Sequence, residues 1–311
     1  MKKLYFHLLF LMAAPAIFAQ ELTIPTFTQY LADNPFVISP AYAGIGDHVK
    51  IRANGLTQWV GIKDAPDMQS LAADARIFPS TGVGAFFYND KNGNTRQYGG
   101  KLAFAHHLIM DSYSEQYLSF GMSYNVNQFK IDIENFETGD MAVNSNKYAI
   151  NHNFDVAFLY RYKDFYANIT ASNLLNKQID IYAINEPNAL RNYQFYGGYV
   201  FNKGSQFEVE PSTFVQYFES DGRSTTDLNL KARYMDFEDY YWIGVNYRFL
   251  NDQAGNPINI GPMAGLKKSN FYFAYSYQVT TNNLASKNSG THMITVGLDI
   301  FQGISDCPCT H

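Results

Sequence analysis

Apolar and polar residues alternate at every second position through most of the chain. The clearest run sets Ile294, Val296, Leu298 and Ile300 against Thr295, Gly297 and Asp299. Similar splits place Phe154, Val156, Phe158, Tyr160 and Tyr162 opposite Asp155, Ala157, Leu159 and Arg161, and Tyr241, Ile243, Val245, Tyr247 and Phe249 opposite Trp242, Gly244, Asn246 and Arg248. A period of two belongs to a strand with unlike faces, since one face of a helix repeats every 3.6 residues. The pattern predicts about 14 strands, an even number in the range of transmembrane barrels. They run over 49–60, 68–78, 81–90, 97–108, 116–129, 152–162, 165–172, 191–201, 206–217, 227–234, 240–249, 259–266, 271–278 and 290–301.

Charge placement tests this reading, because a Lys or Arg on the lipid face at mid-membrane costs about 2–4 kcal/mol. Lys50, Arg52, Asp74, Arg76, Asp155, Arg161, Glu208, Glu210, Lys231, Arg233, Arg248 and Asp299 all fall on the polar parity of their segments. Asp155, Arg161, Glu208, Glu210, Lys231, Arg233, Arg248 and Asp299 are therefore expected to be lumen charges. Their mixed signs suit internal pairing as well as ion selection.

Connection lengths test it again. Short joins at Pro79–Ser80, Tyr162–Asp164, Asn202–Gly204, Met235–Asp239 and Lys267–Asn270 interleave with long ones at Lys130–Asn151, Asn173–Leu190, Glu219–Thr226, Asn251–Ile258 and Gln278–Ser289. Outer-membrane barrels alternate short periplasmic turns with longer external loops, whereas a soluble sandwich has no reason to lengthen every second join. The expected fold is all-β, an antiparallel transmembrane β-barrel of the outer membrane.

Composition narrows the functional classes. Of 311 residues, 16% are aromatic and 16% charged, with 24 Tyr and 25 Phe against 2 Trp; charged residues make up about 25% of ordinary soluble domains. A formal charge of −5 argues against a phosphate-binding surface and excludes nucleic acid as an expected partner. Lys2 and Lys3, an apolar run to about Phe18, and Ala19 before Gln20 read as a signal peptide over 1–19. The remaining divisions are 20–48 as a periplasmic or plug-like segment, broken by Asn34-Pro35 and Ser39-Pro40, 49–301 as the barrel, and 302–311 as a periplasmic tail.

Other chemistry is sparse. Cys307-Pro308-Cys309 supplies two thiols where a structural zinc site takes four ligands. It is read as a tail, with a disulfide or a soft metal as alternatives. Asn92-Gly93 reads as a hairpin turn rather than the start of a calcium loop. His106, His107, His152 and His292 stand in no nucleophile motif such as a Gly-x-Ser-x-Gly elbow, so no enzyme and no cofactor is expected.

Specific words in the chain carry a resemblance. Gln29-Tyr30 with Thr28 before it, Pro40-Ala41-Tyr42-Ala43-Gly44, and Gln58-Trp59-Val60-Gly61 followed by Ala65-Pro66 resemble the opening of the PorP/SprF family of type IX secretion system outer-membrane proteins. Asn173-Leu174-Leu175, Pro211-Ser212, Tyr275-Ser276-Tyr277 and Gly290-Thr291-His292 agree with it. Ser39, Gln278 and Met293 depart from the family's usual Asn, Asp and Glu. The resemblance implies a non-enzymatic outer-membrane protein that assists secretion or surface attachment of specific cargo, gliding adhesins included, by holding a cargo C-terminal domain. Its implied partners are outer-membrane lipid, that domain and other type IX components. A channel for small solutes is the alternative reading, and a surface hydrolase a third. The motif residues read as fold markers, with Trp59 ending the first strand at the membrane interface. Cargo contacts are expected in the long loops Lys130–Asn151, Asn173–Leu190 and Gln278–Ser289.

Overall fold

The computed structural model describes residues 33–46, 48–131, 147–175, 191–281 and 285–302. Strands β1 (His48–Thr57), β2 (Asp67–Phe78), β3 (Thr81–Asn92), β4 (Thr95–Asp111), β5 (Gln116–Ile131), β6 (Lys147–Tyr162) and β7 (Phe165–Ser172) form one half of a sheet. The other half is β8 (Asn192–Tyr199), β9 (Phe207–Phe218), β10 (Ser224–Asp236), β11 (Asp239–Leu250), β12 (Asn259–Lys268), β13 (Phe271–Thr280) and β14 (Thr291–Gln302). Each strand pairs antiparallel with its neighbour in sequence. β14 closes on β1, with Lys50 opposite Asp299 and Ala53 opposite Val296. Closure satisfies every ladder and leaves no edge, which a sheet in hydrocarbon requires. Among the described residues no helix is long and apolar enough to cross a membrane.

Parity sorts the side chains as alternation predicts. In β11, Trp242 and Asn246 are buried while Tyr241, Ile243 and Val245 are exposed. In β5, Ser119, Ser123, Asn125 and Asn127 turn inward and Met122 and Tyr124 outward. Outward charges such as Lys91, Arg96, Lys130 and Lys268 stand at strand ends, beyond the apolar band.

The structure moves several sequence-based boundaries. β1 ends at Thr57, and Trp59 sits beyond it in a turn with φ of 47° rather than closing the strand. Pairing of Gln58 N with the Pro66 carbonyl (2.8 Å) and of Ile62 N with the Trp59 carbonyl (3.0 Å) folds that turn and stops the ladder. The predicted loop Lys130–Asn151 is shorter, because β5 runs to Ile131 and β6 starts at Lys147. Asn92 still belongs to β3, so the hairpin turn is Gly93-Asn94, with the positive φ that a tight hairpin requires carried by Gly93.

The lumen is occupied. Residues 33–46 enter it as two single 3-10 turns, Pro35–Val37 and Pro40–Tyr42, each started by a proline whose fixed φ suits a first helical position. Phe36, Val37 and Ile38 join inward Leu56, Met68, Ala72, Phe86, Tyr196, Phe214 and Met293 in one apolar cluster that reaches from β1 and β2 across to β8 and β9. At about 1.5–3 kcal/mol per fully buried large side chain, this cluster is a strong reason for the segment to stay inside.

The wall facing that segment is built for it. Gly82, Ala105, Gly121 and Ala157 lie opposite one another in successive strands β3 to β6, forming a row of inward small residues. A Cβ at Gly82 would stand 2.0 Å from the Ala43 carbonyl oxygen, and one at Gly121 2.2 Å from the Ala41 nitrogen. Backbone thus packs on backbone, and the row is a trough in which Ala41, Ala43 and Gly44 rest.

Candidate functional site

The inserted segment is held by polar contacts from four wall strands, β1, β2, β4 and β7. Lys101 Nζ donates to the Val37 carbonyl (2.9 Å), and Asn168 Nδ2 to Ser39 Oγ (2.9 Å). His107 bridges Ser119 Oγ (2.8 Å) and the Ala43 carbonyl (3.0 Å). A carbonyl only accepts, so Nε2 carries the proton toward Ala43. Gly44 N donates to Asp74 Oδ2 (3.0 Å), and Lys50 Nζ to the Ile45 carbonyl (2.9 Å). At the segment's start, Arg52 lies between Asp33 and Asp299, 2.6 Å from each, with its guanidinium over the Tyr272 ring at 4.4 Å. The buried backbone groups of the insert are therefore matched by wall side chains, as burial demands.

The charges on the polar parity of the strands fall mostly into four groups. Asp155 accepts from Ser123 Oγ (2.9 Å), Asn125 Nδ2 (2.9 Å) and Asn173 N (3.0 Å), with Lys101 at 3.6 Å. Glu208 pairs with Arg233 (2.9 Å) and Glu210 with Lys231 (2.7 Å). Arg248 grips Asp227 with two bonds of 2.8 and 2.7 Å. Arg161 places its guanidinium 5.2 Å from the Tyr117 ring centre. Asp299 completes the Arg52 group and approaches Lys267 at 3.6 Å. Asp33, Lys101 and Asp227 were not singled out by sequence reasoning, and His107 was weighed there only as a possible base. Lys101 and His107 share the parity of Ala103 and Ala105 in β4, which was the available signal.

Between the insert and the strands on the short-turn side lies a cavity of about 390 Å³. Arg161, Glu210, Lys231, Arg233 and Asp299 of the predicted lumen set line it, together with Tyr42, Tyr166, Tyr196 and Trp242. Tyr166 OH donates to Glu210 Oε1 (2.7 Å) and lies 2.9 Å from Tyr196 OH. Trp242 Nε1 donates to Tyr272 OH (3.1 Å).

The family model of the type IX secretion system membrane protein PorP/SprF matches residues 19–298, nearly the whole chain. The chain belongs to the PorP/SprF family. No curated protein matches it. Among solved structures, the CymD monoaromatic hydrocarbon channel aligns with a TM-score of 0.54 at 11% identity, covering 90% of this chain and 95% of that one. The toluene transporter TbuX of Ralstonia pickettii aligns at 0.50 and 9% identity, covering 86% and 93%. At such identities the likeness is one of fold: this PorP/SprF protein is an outer-membrane β-barrel and resides in the outer membrane.

The signature words of the family now have positions. Pro40-Ala41-Tyr42-Ala43-Gly44 is the part of the insert that lies in the glycine-alanine trough, with Tyr42 turned away toward the cavity. Gln58-Trp59-Val60-Gly61 forms the first external turn and is tied to the start of β14. Val60 N donates to the Gly290 carbonyl (3.0 Å) and Ser289 N to the Val60 carbonyl (2.8 Å). Pro66 closes that turn next to Ala65. Asn173-Leu174-Leu175 folds back on β6, where the Asn153 side chain holds both Leu175 N (2.8 Å) and its carbonyl (3.1 Å). Tyr275 OH meets His292 Nδ1 at 2.6 Å on the outer surface. Of the departures, Ser39 is buried against Asn168, Gln278 bonds Ser276, and Met293 enters the apolar cluster, where the family's usual acid would need a partner. Gln29, Tyr30, residues 1–19, Cys307 and Cys309 lie outside the described residues.

Proposed function

We propose that this PorP/SprF protein is a non-enzymatic accessory of type IX secretion that holds a specific cargo at the cell surface through its external loops. The observation that carries this reading is the filled lumen. An apolar cluster and an inserted segment span the interior, so recognition at the cell surface falls to the side of the barrel from which the long connections leave the strands. Those connections occupy 132–146, 173–191 and 281–290, between strands that the closed sheet keeps rigid. Rigid barrel with variable loops is the usual division between scaffold and recognition surface. The cargo group engaged is its C-terminal domain, and gliding adhesins are within the cargo class. A type IX role also implies contact with other components of that machinery.

A small-solute channel is the rival reading, since the two structural relatives named above are a monoaromatic hydrocarbon channel and a toluene transporter. The Phe36 cluster argues against it. A conduit needs a continuous path, and here the insert is bonded to four wall strands.

Deleting 132–146, 176–190 and 282–289 one at a time, with surface retention of secreted proteins read by mass spectrometry, tests the proposal. At least one deletion is expected to release a cargo into the medium while the barrel still resists heat and protease. Unchanged retention with all three deletions would overturn it.

A further inference from the structure

The cavity beside Tyr42 is charged asymmetrically. Six cationic side chains line it, Lys50, Arg52, Arg161, Lys231, Arg233 and Lys267, against three carboxylates, Asp33, Glu210 and Asp299. Glu208, behind Arg233, raises the acids to four and still leaves the cations in excess. Most of the pairs are internal: Arg52 is shared by Asp33 and Asp299, and Lys231 is spent on Glu210. Lys50 differs, since among the described residues its ammonium is held by the Ile45 carbonyl (2.9 Å) rather than by a carboxylate.

A second observation concerns Tyr42. Its hydroxyl is buried and meets no hydrogen-bond partner among the described residues. A buried hydroxyl left without a partner costs about 1–3 kcal/mol, which a ligand, ion or water reaching it would recover. Burial and the neighbouring Glu210 push its ionisation well above the ordinary phenol range, so the group is a neutral donor. Its ring lies 6.3 Å from that of Tyr196, which in turn tilts against Tyr166 at 5.2 Å. The three phenols give one side of the cavity an apolar, aromatic surface.

We propose that this vestibule is a binding site for an oxyanion, a carboxylate or phosphate borne on a small molecule or a chain end, with Lys50, Arg161 and the Tyr42 hydroxyl as its partners. A volume of about 390 Å³ is within the range of small-ligand pockets. Strands β1, β6, β10, β12 and β14 contribute their residues from the end where both termini of the barrel leave the sheet, so the ligand enters from the periplasmic side. This site is independent of whether the external loops hold cargo, because no residue of those loops lines it.

The test uses the full mature barrel in uncharged detergent. The probes are inorganic phosphate, a short glycine-alanine peptide with a free C-terminal carboxylate, and the same peptide amidated. Trp242 lines the cavity, and in a Trp59→Phe chain it is the sole indole, so its emission reports occupancy. Calorimetric titration of the unaltered chain gives the same affinity without any substitution. Saturable binding of phosphate or of the free-acid peptide is expected, at least tenfold weaker in Arg161→Gln and in Lys50→Gln, weakened by salt, and unchanged in Arg191→Gln at the external rim. Binding of the acid alone identifies a carboxylate ligand, of phosphate alone a phosphoryl ligand, and of both a general oxyanion site. Equal binding of the amidated peptide, no saturable response to either anion, or full affinity in both Arg161→Gln and Lys50→Gln would overturn the proposal.

Discussion

Gly82 and Gly121 are inward residues whose missing side chains do structural work. On a barrel wall an inward glycine usually leaves space for water, but here the space is filled by the backbone of Ala41 and Ala43. Adding atoms to a filled site costs about 1–3 kcal/mol where neighbours can shift. At Gly121 the obstructing atoms are main-chain, from Pro40 and Ala41, and a β-branched side chain has no rotamer that avoids them. Gly121→Val is therefore expected to displace the insert while the strand ladder survives. Cysteine labelling at an introduced Ala41→Cys would rise from protected to reactive in the Gly121→Val background and stay protected with Gly255→Ala, whose surroundings are open. Equal protection in both would mean that the trough does not hold the insert.

At the scale of the element, alternation alone located all fourteen strands, because each is wet or packed on one face and lipid-facing on the other. Its errors lie where local hydrogen bonding outweighs the pattern. The turn at Trp59 ends β1 although the alternation continues, and β6 begins five residues before its apolar rhythm becomes clear, because cross-strand pairing with β5 reaches out to Ile131. The inward charges were legible as a class but not as pairs. Arg248 bonds Asp227, which stood at a segment edge, and Asp155 takes Lys101, because register across strands decides partners and one sequence does not display register. The glycine-alanine row was present in the sequence as an inward parity of small rather than polar residues, and reading it needed that same register. Lipid exposure predicts depth-dependent costs along β11. Val245→Lys, at mid-strand and outward, should destabilise the barrel in lipid vesicles by about 2–4 kcal/mol, while Phe249→Lys near the external rim should cost about 0–1 kcal/mol. Equal costs in an unfolding titration would contradict the assigned membrane band.

For the whole molecule, the question is whether a closed fourteen-strand wall encloses a pore. Wall closure by itself answers nothing, since barrels of similar size are open, plugged or filled. Three features act together here: an apolar cluster reaching across the lumen, an insert bonded to walls as far apart as β1 and β7, and paired charges rather than a ring of one sign. Water and ions would have to pass between Phe36, Phe86, Tyr196 and Phe214, where dispersion contacts and burial both oppose hydration. The mature protein in a planar bilayer is thus expected to show no sustained single-channel current. The Gly121→Val protein should open conducting states of appreciable size, because the space vacated by the insert is lined by the small residues of β3 to β6. The two records must be read together. Silence from both would leave the β8–β14 side chains as the barrier, with the insert merely adding to it. Steady current from the unaltered protein would favour the solute-channel alternative over a closed scaffold.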